Sequence, residues 1–348
     1  MADHHSKRGA RLASLVGIAC VGLAAAACGS SSSPSGKSSA SASASASAKP
    51  TGTANVAYAS SLQYLNEKVV SPAFTSAEGY KFSGRSGASG ELEQDIASGE
   101  ISPNVFQAVG GDNITPLEPK FTKWYVQYAG TSIVVAYNPT GPHASAFKAI
   151  ADGSQPVCSL FSSVLQTPGL KLGRTDPNID PQGRDFIMML QLAQSYCHLP
   201  PDTVAKILGT SDFGAASSSQ IYAESSLEAT LQSGQLDAAS AFISQAVQLH
   251  LSHIKLPDAI NLGSFADAAA YKKATVTVKS GKTYKGSPQV IDITTIGTPT
   301  AAGIAFVRYT LSSAGLAQYK AGGFTVLTPT AFGDTSAIPA AIKSELGG

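Results

Sequence analysis

The sequence predicts an α/β protein with two lobes. Between residues 53 and 111, a short apolar strand, a loop of small residues and a helix follow one another repeatedly. This alternation favours a largely parallel sheet covered by helices. The chain has 348 residues, which is more than one hydrophobic core usually supports. The long apolar run Trp124–Tyr137 ends at Asn-Pro, and such a strand can carry the chain from one lobe into the other.

The first 28 residues have the pattern of a lipoprotein signal peptide. Three basic residues precede the apolar run Leu12–Ala27, which is too short for a comfortable membrane span. Small residues lead to Cys28 and Gly29, a sequence that suits cleavage and lipid attachment at Cys28. An ordinary secretory signal cut after Ala27, or a short membrane anchor, is the alternative interpretation.

Residues 29–52 predict a disordered linker. Most of this segment is Ser, Ala, Gly and Pro, and it has almost no large apolar group with which to form a core. A linker between a lipidated cysteine and a folded body indicates a protein on the outer face of the cell membrane, or in the periplasm of a two-membrane organism. This arrangement argues against a cytoplasmic enzyme.

Composition excludes two further classes of protein. The whole chain has 24 basic and 23 acidic side chains, and no basic stripe offers a surface to nucleic acid. After Ala27, no apolar run is long and charge-free enough to cross a bilayer. Two cysteines remain in the body, Cys158 and Cys197. Outside the cell a disulfide between them is favoured over two free thiols.

The elements follow in order along the body. We predict strands at 53–60, 80–82, 105–109, 124–137, 238–243, 274–278, 289–295 and 324–327, with a turn at Gly281-Lys282. We predict helices from Leu62, from Glu91, and at 144–151, 158–165, 186–196, 225–231 and 301–319. The simplest organisation places residues 53–137 and 253–348 in lobe 1 and residues 138–252 in lobe 2.

Three loops between a predicted strand and a predicted helix are built from small residues: Ser60-Ser61, Ser86–Ser89 and Ala108–Gly111. In open α/β sheets, ligands bind beyond the carboxyl ends of the strands. The start of a helix presents free backbone N–H groups, and serine adds a neutral donor, so such loops can bind an anion without Lys or Arg. Each loop alone is also explained by helix capping and turns.

A fourth loop, residues 173–185, contains Asp-Pro twice, at Asp176 and at Asp180. Loops commonly contain single Asp-Pro pairs, but two pairs four residues apart are less easily explained as turns. Arg174 and Arg184 flank them and could pair with the aspartates to keep them ionised.

This loop resembles that of the archaeal-type tungstate/molybdate-binding proteins of ABC transporters, which commonly reads G-R-x-D-P-x-x-D-P-C-G-Y-R. The resemblance extends over most of residues 56–324, including Trp124–Tyr137, the segment 224–237 (E-S-S-L-E-A-T-L-Q-S-G-Q-L-D) and the segment 256–262. It implies a type II periplasmic-binding-protein fold that closes on its ligand about a hinge. It also implies a monomer that binds molybdate or tungstate, has no cofactor, and delivers its ligand to an ABC permease with its ATPase.

The resemblance also implies roles for individual residues. Asp180 and Glu224 would bond to the metal atom of the oxyanion, which is the only metal-ligand role that we expect. Neutral donors would be Ser60 or Ser61, Ser89, and the backbone at Ala108 in place of a family serine. Asp176 is a further candidate contact, with an Asx turn as its alternative role. Glu224 could instead be the acid of a helix's first turn.

The chain departs from the family pattern at several positions. Gln182 and Arg184 replace the family's Cys and Tyr, and Phe242 lies where a Tyr hydroxyl is expected. Each change removes a donor, which leaves three alternatives open. The ligand could be sulfate, phosphate or thiosulfate; the protein could be a secreted hydrolase with Asp180 and Glu224 as its acid and base; or it could be a surface lipoprotein with a degenerate cleft.

Overall fold

The computed structural model describes residues 50–215 and 218–347. Cys28, the predicted signal peptide and the linker up to residue 49 lie outside the described residues. The strands are β1 Thr53–Ala59, β2 Lys81–Gly87, β3 Val105–Val109, β4 Trp124–Thr131, β5 Ile133–Tyr137, β6 Leu172–Gly173, β7 Ala238–Phe242, β8 His253–Ile254, β9 Thr275–Thr277, β10 Thr283–Lys285, β11 Gln289–Thr295 and β12 Thr325–Gly333.

Helices connect and cover these strands. They are α1 Gln63–Leu65, α2 Ser71–Glu78, α3 Ser89–Ser98, α4 Ala144–Ala151, α5 Cys158–Ser162, α6 Pro181–Tyr196, α7 Thr203–Leu208, α8 Glu224–Gln232, α9 Ile243–Gln248, α10 Ala268–Tyr271, α11 Ala301–Leu311, α12 Ser313–Ala321 and α13 Ala340–Lys343. A π-helical segment, Asn66–Val70, joins α1 to α2. Among the described residues, no helix has the length and apolar character that a membrane crossing needs.

The larger sheet has six strands in the order β12-β4-β11-β3-β1-β2. β1 runs parallel to β2 and β3, whereas β11 pairs antiparallel with β3 and β4, and β12 pairs antiparallel with β4. The sheet is therefore mixed and not largely parallel as expected. The alternating pattern of the first third of the chain predicts the parallel half. The antiparallel half is completed by β11 and β12 from the C-terminal third of the chain. A local sequence pattern can predict these strands but not the strands with which they pair.

β2 continues through Gly87, although the predicted strand ended at Phe82. A Cβ atom at Gly84 would lie 2.4 Å from the Tyr58 hydroxyl oxygen, so this glycine allows a close side-chain approach across paired strands. Glycine in a strand often marks such an approach. The loop that remains is short, and α3 begins at Ser89, two residues before the predicted start.

The run Trp124–Tyr137 is broken into two strands at Ser132. β4 belongs to the six-stranded sheet and β5 to a second sheet of four strands, in the order β6-β7-β5-β8. At the break, the backbone N–H of Ile133 donates to the carbonyl oxygen of Asn261 at 2.8 Å, and that of Ile243 donates to Ser132 at 2.8 Å. The chain therefore passes from one sheet to the other within a single residue.

Helix α6 begins at Pro181, five residues earlier than predicted. Asp180 is its N-cap, and proline suits the first helical position because its missing N–H would have no partner there. Gly183 permits this early start, since a Cβ atom there would lie 2.4 Å from the carbonyl oxygen of Thr175. The second half of the Asp-Pro loop is thus the first turn of a helix.

Two differences concern the remaining elements, and the disulfide favoured from the sequence is present. Gly281-Lys282 closes a separate hairpin of β9 and β10, and does not join β9 to β11. The helix predicted over 301–319 is two helices, because Ser312 ends α11 and caps α12 by accepting from the Gly315 N–H at 3.2 Å. A disulfide joins Cys158 to Cys197, with Cα atoms 5.6 Å apart, and ties α5 to the end of α6.

Candidate ligand-binding site

A cavity of about 470 Å³ lies between the loops that follow β1 and β2 and the segments that begin α6 and α8. Ser60 and Ser86 line it from the six-stranded sheet, and Asp176, Asp180 and Glu224 line it from the opposite side. Four of the residues predicted from sequence therefore lie around one cavity. These four are Ser60, Asp176, Asp180 and Glu224, which are spread along the chain from position 60 to position 224.

Asp180 is buried at the edge of this cavity. As the N-cap of α6, its Oδ1 atom accepts from the backbone N–H of Gln182 at 2.9 Å. Burial raises the pKa of the Asp180 carboxyl to about 6, although the hydrogen bond from Gln182 and the charge of Arg184 lower it. The carboxyl therefore combines a capping role with a position that faces the cavity.

Glu224 is the first residue of α8 and is also buried. Its Oε1 atom accepts from Gln245 Nε2 at 2.9 Å and from Gln182 Nε2 at 3.2 Å. Burial and the nearby carboxyls of Asp180 and Glu228 raise the pKa of Glu224 well above its usual value, and hydrogen bonds from Gln245 and the Ser61 backbone lower it. Three acidic groups thus share one poorly solvated region.

Two glutamines hold this acidic region together. The Nε2 atom of Gln182 donates to the Oε1 atom of Gln245 at 2.8 Å, and the Oε1 atom of Gln182 accepts from the Ser240 hydroxyl at 2.7 Å. The Nε2 atom of Gln245 also donates to the Oε1 atom of Glu228 at 2.6 Å. A fully hydrogen-bonded polar network of this kind is rigid, because every broken bond would leave a buried group unsatisfied.

The remaining predicted donors lie beside the cavity and do not line it. Ser61 is buried, and among the described residues its hydroxyl has no hydrogen-bond partner. The Oγ atom of Ser89 accepts from the backbone N–H of Val109 at 3.1 Å, which leaves the hydroxyl proton of Ser89 able to donate elsewhere. Ala108 is buried within β3, opposite Asp292 of β11.

Asp176 forms a local turn. Its Oδ1 atom accepts from the backbone N–H of Asn178 at 2.9 Å and from the Asn178 side-chain amide at 2.6 Å. The backbone N–H of Asp180 donates to the Asp176 carbonyl at 2.9 Å. These bonds form the Asx turn expected as the alternative for this residue, and they shape the loop that presents Asp180.

The two arginines do not form the expected ion pairs with the aspartates. Arg184 stacks on the Tyr284 ring at 4.0 Å from the ring centre, and its Nη1 atom donates to the carbonyl of Pro177 at 3.3 Å. Arg174 is fully buried, and its Nε atom donates to Gln220 at 3.4 Å. Arg184 follows Asp180 on the first turn of α6, where its side chain turns towards the β9–β10 hairpin.

The arrangement suits a ligand that accepts hydrogen bonds and can also bond to carboxylates. Serine hydroxyls and the N-termini of α3 and α8 supply neutral donors and positive dipole ends. Within the described ranges, no group of three or more His, Cys, Asp or Glu side chains is arranged to hold a metal ion.

Sequence reasoning missed Glu228 and Gln245, and it recognised Gln182 only as a departure from a pattern. Glu228 lies four residues after Glu224 and therefore on the same face of the helix, which is a signal available in the sequence. Gln245 had no such signal, because it comes from a helix that begins after β7. Its contacts with Gln182 and Glu224 span 63 and 21 residues of sequence.

Comparisons with known proteins show the family to which the chain belongs. A family model described as bacterial extracellular solute-binding protein matches residues 54–325. The chain is 28% identical over 333 residues to a Haloferax volcanii protein named "Putative ABC transporter molybdenum-binding protein", covering 94% of this chain and 95% of that one. It is 29% identical over 247 residues to the molybdate/tungstate-binding protein WtpA of Thermococcus kodakarensis, covering 65% and 66% of the two chains.

The fold is shared with a solved structure, the periplasmic molybdate-binding protein of Azotobacter vinelandii. The TM-score is 0.52 at 17% identity, and the match covers 78% of this chain and 98% of that one. Similarity at this level shows a common two-lobed α/β fold and carries no information on the ligand. The expected fold class is therefore confirmed.

Proposed function

The chain belongs to the bacterial extracellular solute-binding proteins, and we propose that it captures molybdate or tungstate for an ABC importer. The family is one of transport proteins and not of enzymes. The named relatives from Haloferax volcanii and Thermococcus kodakarensis support the choice of ligand class. The observation that carries the proposal is that Asp180 and Glu224, both buried, line one cavity together with Ser60.

Two carboxyls in this position favour a metal oxyanion over sulfate. A carboxylate that faces a dianion in a poorly solvated cavity is repelled by it unless a bond forms between them. The hexavalent metal of molybdate or tungstate can accept such bonds and expand its coordination, whereas sulfur and phosphorus in sulfate and phosphate cannot. Asp180 and Glu224 would therefore select for the metal oxyanions and against the commoner anions.

Neutral donors would hold the oxygen atoms of the ligand. We assign this role to the hydroxyls of Ser60 or Ser61 and Ser89, and to backbone N–H groups near Ala108. Ser60 lines the ligand cavity itself, whereas the buried hydroxyl of Ser61, without a partner among the described residues, lines the adjoining cavity. Because none of these donors is charged, the site would bind a dianion without a lysine or arginine.

We further propose that residues 53–137 with 253–348 form one lobe and residues 138–252 the other. All strands of the six-stranded sheet come from residues 53–131 and 289–333, and those of the four-stranded sheet from residues 133–254. The cavity has walls from both groups. Closure of the lobes about Ser132 would bring Ser60 of the first lobe towards the carboxyls of Asp180 and Glu224 in the second lobe.

Attachment to the membrane would come from Cys28. A lipid there and the linker of residues 29–52 would keep a monomeric body beside the ABC permease on the outer face of the membrane. Replacing Cys28 by alanine is expected to prevent labelling with a radioactive fatty acid and to remove the protein from the acylated membrane fraction. Equal labelling of both proteins would contradict this part of the proposal.

Titration calorimetry of the purified protein with molybdate, tungstate, sulfate, phosphate and thiosulfate tests the choice of ligand. We expect tight binding of the first two anions and much weaker binding of the other three. Tight sulfate binding with no measurable molybdate or tungstate binding would replace this function by sulfate capture. Hydrolytic turnover that is lost in Asp180→Asn and Glu224→Gln, with anion binding intact, would indicate an enzyme.

A further inference from the structure

The two oxygens of the Glu224 carboxyl have different surroundings. Its Oε1 atom accepts hydrogen bonds from two side-chain amides, those of Gln182 and Gln245. The side chain also lines the ligand cavity. The two amides therefore fix the position of Oε1 and, with the hydrogen bond from the Ser61 backbone, orient the carboxyl that a ligand would meet.

The orientation of the Gln245 amide is fixed by the backbone. Its Oε1 atom accepts from the backbone N–H of Phe242 at 2.9 Å. Because an N–H group can only donate, the oxygen of the amide must face Phe242 and the nitrogen must face the opposite way. That nitrogen has two hydrogens. It donates one to Glu224 Oε1 at 2.9 Å and the other to Glu228 Oε1 at 2.6 Å.

Glu228 is the last acceptor of this chain of hydrogen bonds. It lies one turn after Glu224 on α8 and lines a second cavity of about 270 Å³, together with Ser60, Ser61, Gln245, Glu67 and Lys68. It does not line the ligand cavity. Glu228 is therefore connected to Glu224 through Gln245, from a cavity that adjoins the ligand cavity at Ser60.

We propose that Glu228 is a positioning residue that, through Gln245, gives the site its preference for a metal oxyanion over sulfate. This inference rests on the proposed function, because it assumes that Glu224 bonds to the metal atom. Without an acceptor at position 228, one hydrogen of the Gln245 amide loses its partner. The amide oxygen stays bound to the Phe242 N–H, but the nitrogen is then held on one side only and shifts, which weakens one of the side-chain hydrogen bonds that orient Glu224.

The consequence differs between the two kinds of anion. Molybdate and tungstate would use the Glu224 carboxylate as a ligand, so a misplaced carboxylate lowers their affinity. Sulfate makes no bond to a carboxylate and is repelled by it, so its affinity depends on the serine and backbone donors and does not fall when the carboxylate moves. A change in the ratio of the two affinities therefore separates a positioning role from a general loss of structure.

Calorimetry with molybdate and with sulfate, on full-length protein variants, tests the inference. We expect Glu228→Ala to weaken molybdate binding by about 10- to 100-fold, as is typical when a partner behind a metal ligand is removed, and not to weaken sulfate binding. Glu228→Gln keeps an acceptor oxygen for Gln245 and should retain the wild-type ratio. Glu228→Met keeps the volume without a strong acceptor and should behave like alanine.

Glu67→Ala is the matched control. It removes a carboxylate from the second cavity, which Glu228 also lines. Glu67 accepts from the Tyr58 hydroxyl and, among the described residues, has no hydrogen bond to Gln182 or Gln245. The affinity ratio should stay at the wild-type value in this variant. If Glu228→Ala fails to fold, the comparison of Glu228→Met with Glu228→Gln decides the question.

Two outcomes overturn the inference alone: a Glu228→Met or Glu228→Ala protein with the wild-type affinity ratio, or one that loses molybdate and sulfate binding equally. A wild-type protein that binds neither molybdate nor tungstate overturns the proposed function and this inference with it. The wild-type titration therefore shows which of the two has failed.

Discussion

The backbone N–H of Gly90 donates to the carbonyl oxygen of Ile179 at 2.9 Å. This bond joins the first turn of α3, between two strands of the six-stranded sheet, to the loop that ends at Asp180. A Cβ atom at Gly90 would lie 2.6 Å from the same oxygen, so only glycine allows the approach. The contact brings the loop and its carboxyl up to the helix N-terminus beside the ligand cavity.

Gly90→Ala is therefore expected to weaken ligand binding without unfolding the protein. The added methyl group would push the Asp-Pro loop away from α3 and disfavour the closed arrangement. We expect molybdate affinity to fall on the order of tenfold, which corresponds to about 1.4 kcal/mol. Titration calorimetry measures this change.

Gly99→Ala is the control, at the other end of α3. A methyl group there meets open space, but Gly99 has a φ of 83°, so the substitution strains the backbone and lowers stability. Its affinity should match that of the wild type. Equal affinities for all three proteins would show that the Gly90 contact does not contribute to binding.

Two substitutions at Asp180 separate its capping role from its binding role. Asparagine caps a helix about as well as aspartate, whereas alanine costs about 1 kcal/mol. We expect both Asp180→Asn and Asp180→Ala to lose at least about tenfold in molybdate affinity. Even the removal of a residue behind a metal ligand typically has an effect of this size, and here the ligand itself is removed. Only Asp180→Ala should melt at a lower temperature. Unchanged molybdate affinity in Asp180→Asn would exclude the carboxylate as a ligand.

Stability should depend on pH through Glu228. Burial raises the pKa of this carboxyl from 4.5 to about 8, so between these values the folded protein holds a proton that the unfolded chain releases. The free energy of unfolding therefore falls as the pH rises through this window. Glu228→Gln has no proton to release, and its melting temperature should fall less over the same range. Parallel melting curves for both proteins would contradict this assignment.

The disulfide between Cys158 and Cys197 should stabilise the fold without affecting the site. It closes a loop with a sequence separation of 39, for which the chain-entropy model predicts about 4 kcal/mol. The bond lies at the C-terminal end of α6, whose 16 residues separate it from Asp180 by about 24 Å. We expect Cys158→Ser/Cys197→Ser to unfold at lower urea concentration but to bind molybdate normally below its unfolding transition. Weaker binding by the folded variant would show that the two regions are coupled.

Local patterns in the sequence predicted much of the fold and several residues around the cavity. Ser60, Asp180 and Glu224 each lie next to the start of a helix, and the proline, serine and acidic residues there mark those starts. The break at Ser132 was not predicted, because Trp124–Tyr137 reads as one apolar run. Its two halves join different sheets, and that outcome depends on strands such as β7 and β12 that come much later in the chain.

The hydrogen-bond network behind Glu224 was beyond prediction for the same reason. Gln182, Ser240 and Gln245 come from α6, β7 and α9, and each residue alone resembles an ordinary polar side chain. Likewise, Gly84 and Gly183 resemble turn residues in sequence, but in the structure they admit close contacts with Tyr58 and Thr175. Contacts between distant segments decide the role of these residues.

X-ray absorption at the molybdenum edge, on protein loaded with molybdate, tests the central claim most directly. The account predicts an expanded, octahedral shell in which oxygen atoms from Asp180 and Glu224 add to those of the oxyanion, and a return towards a tetrahedral shell in Asp180→Asn and Glu224→Gln. A tetrahedral shell in the loaded wild-type protein, identical to that of free molybdate, would contradict it.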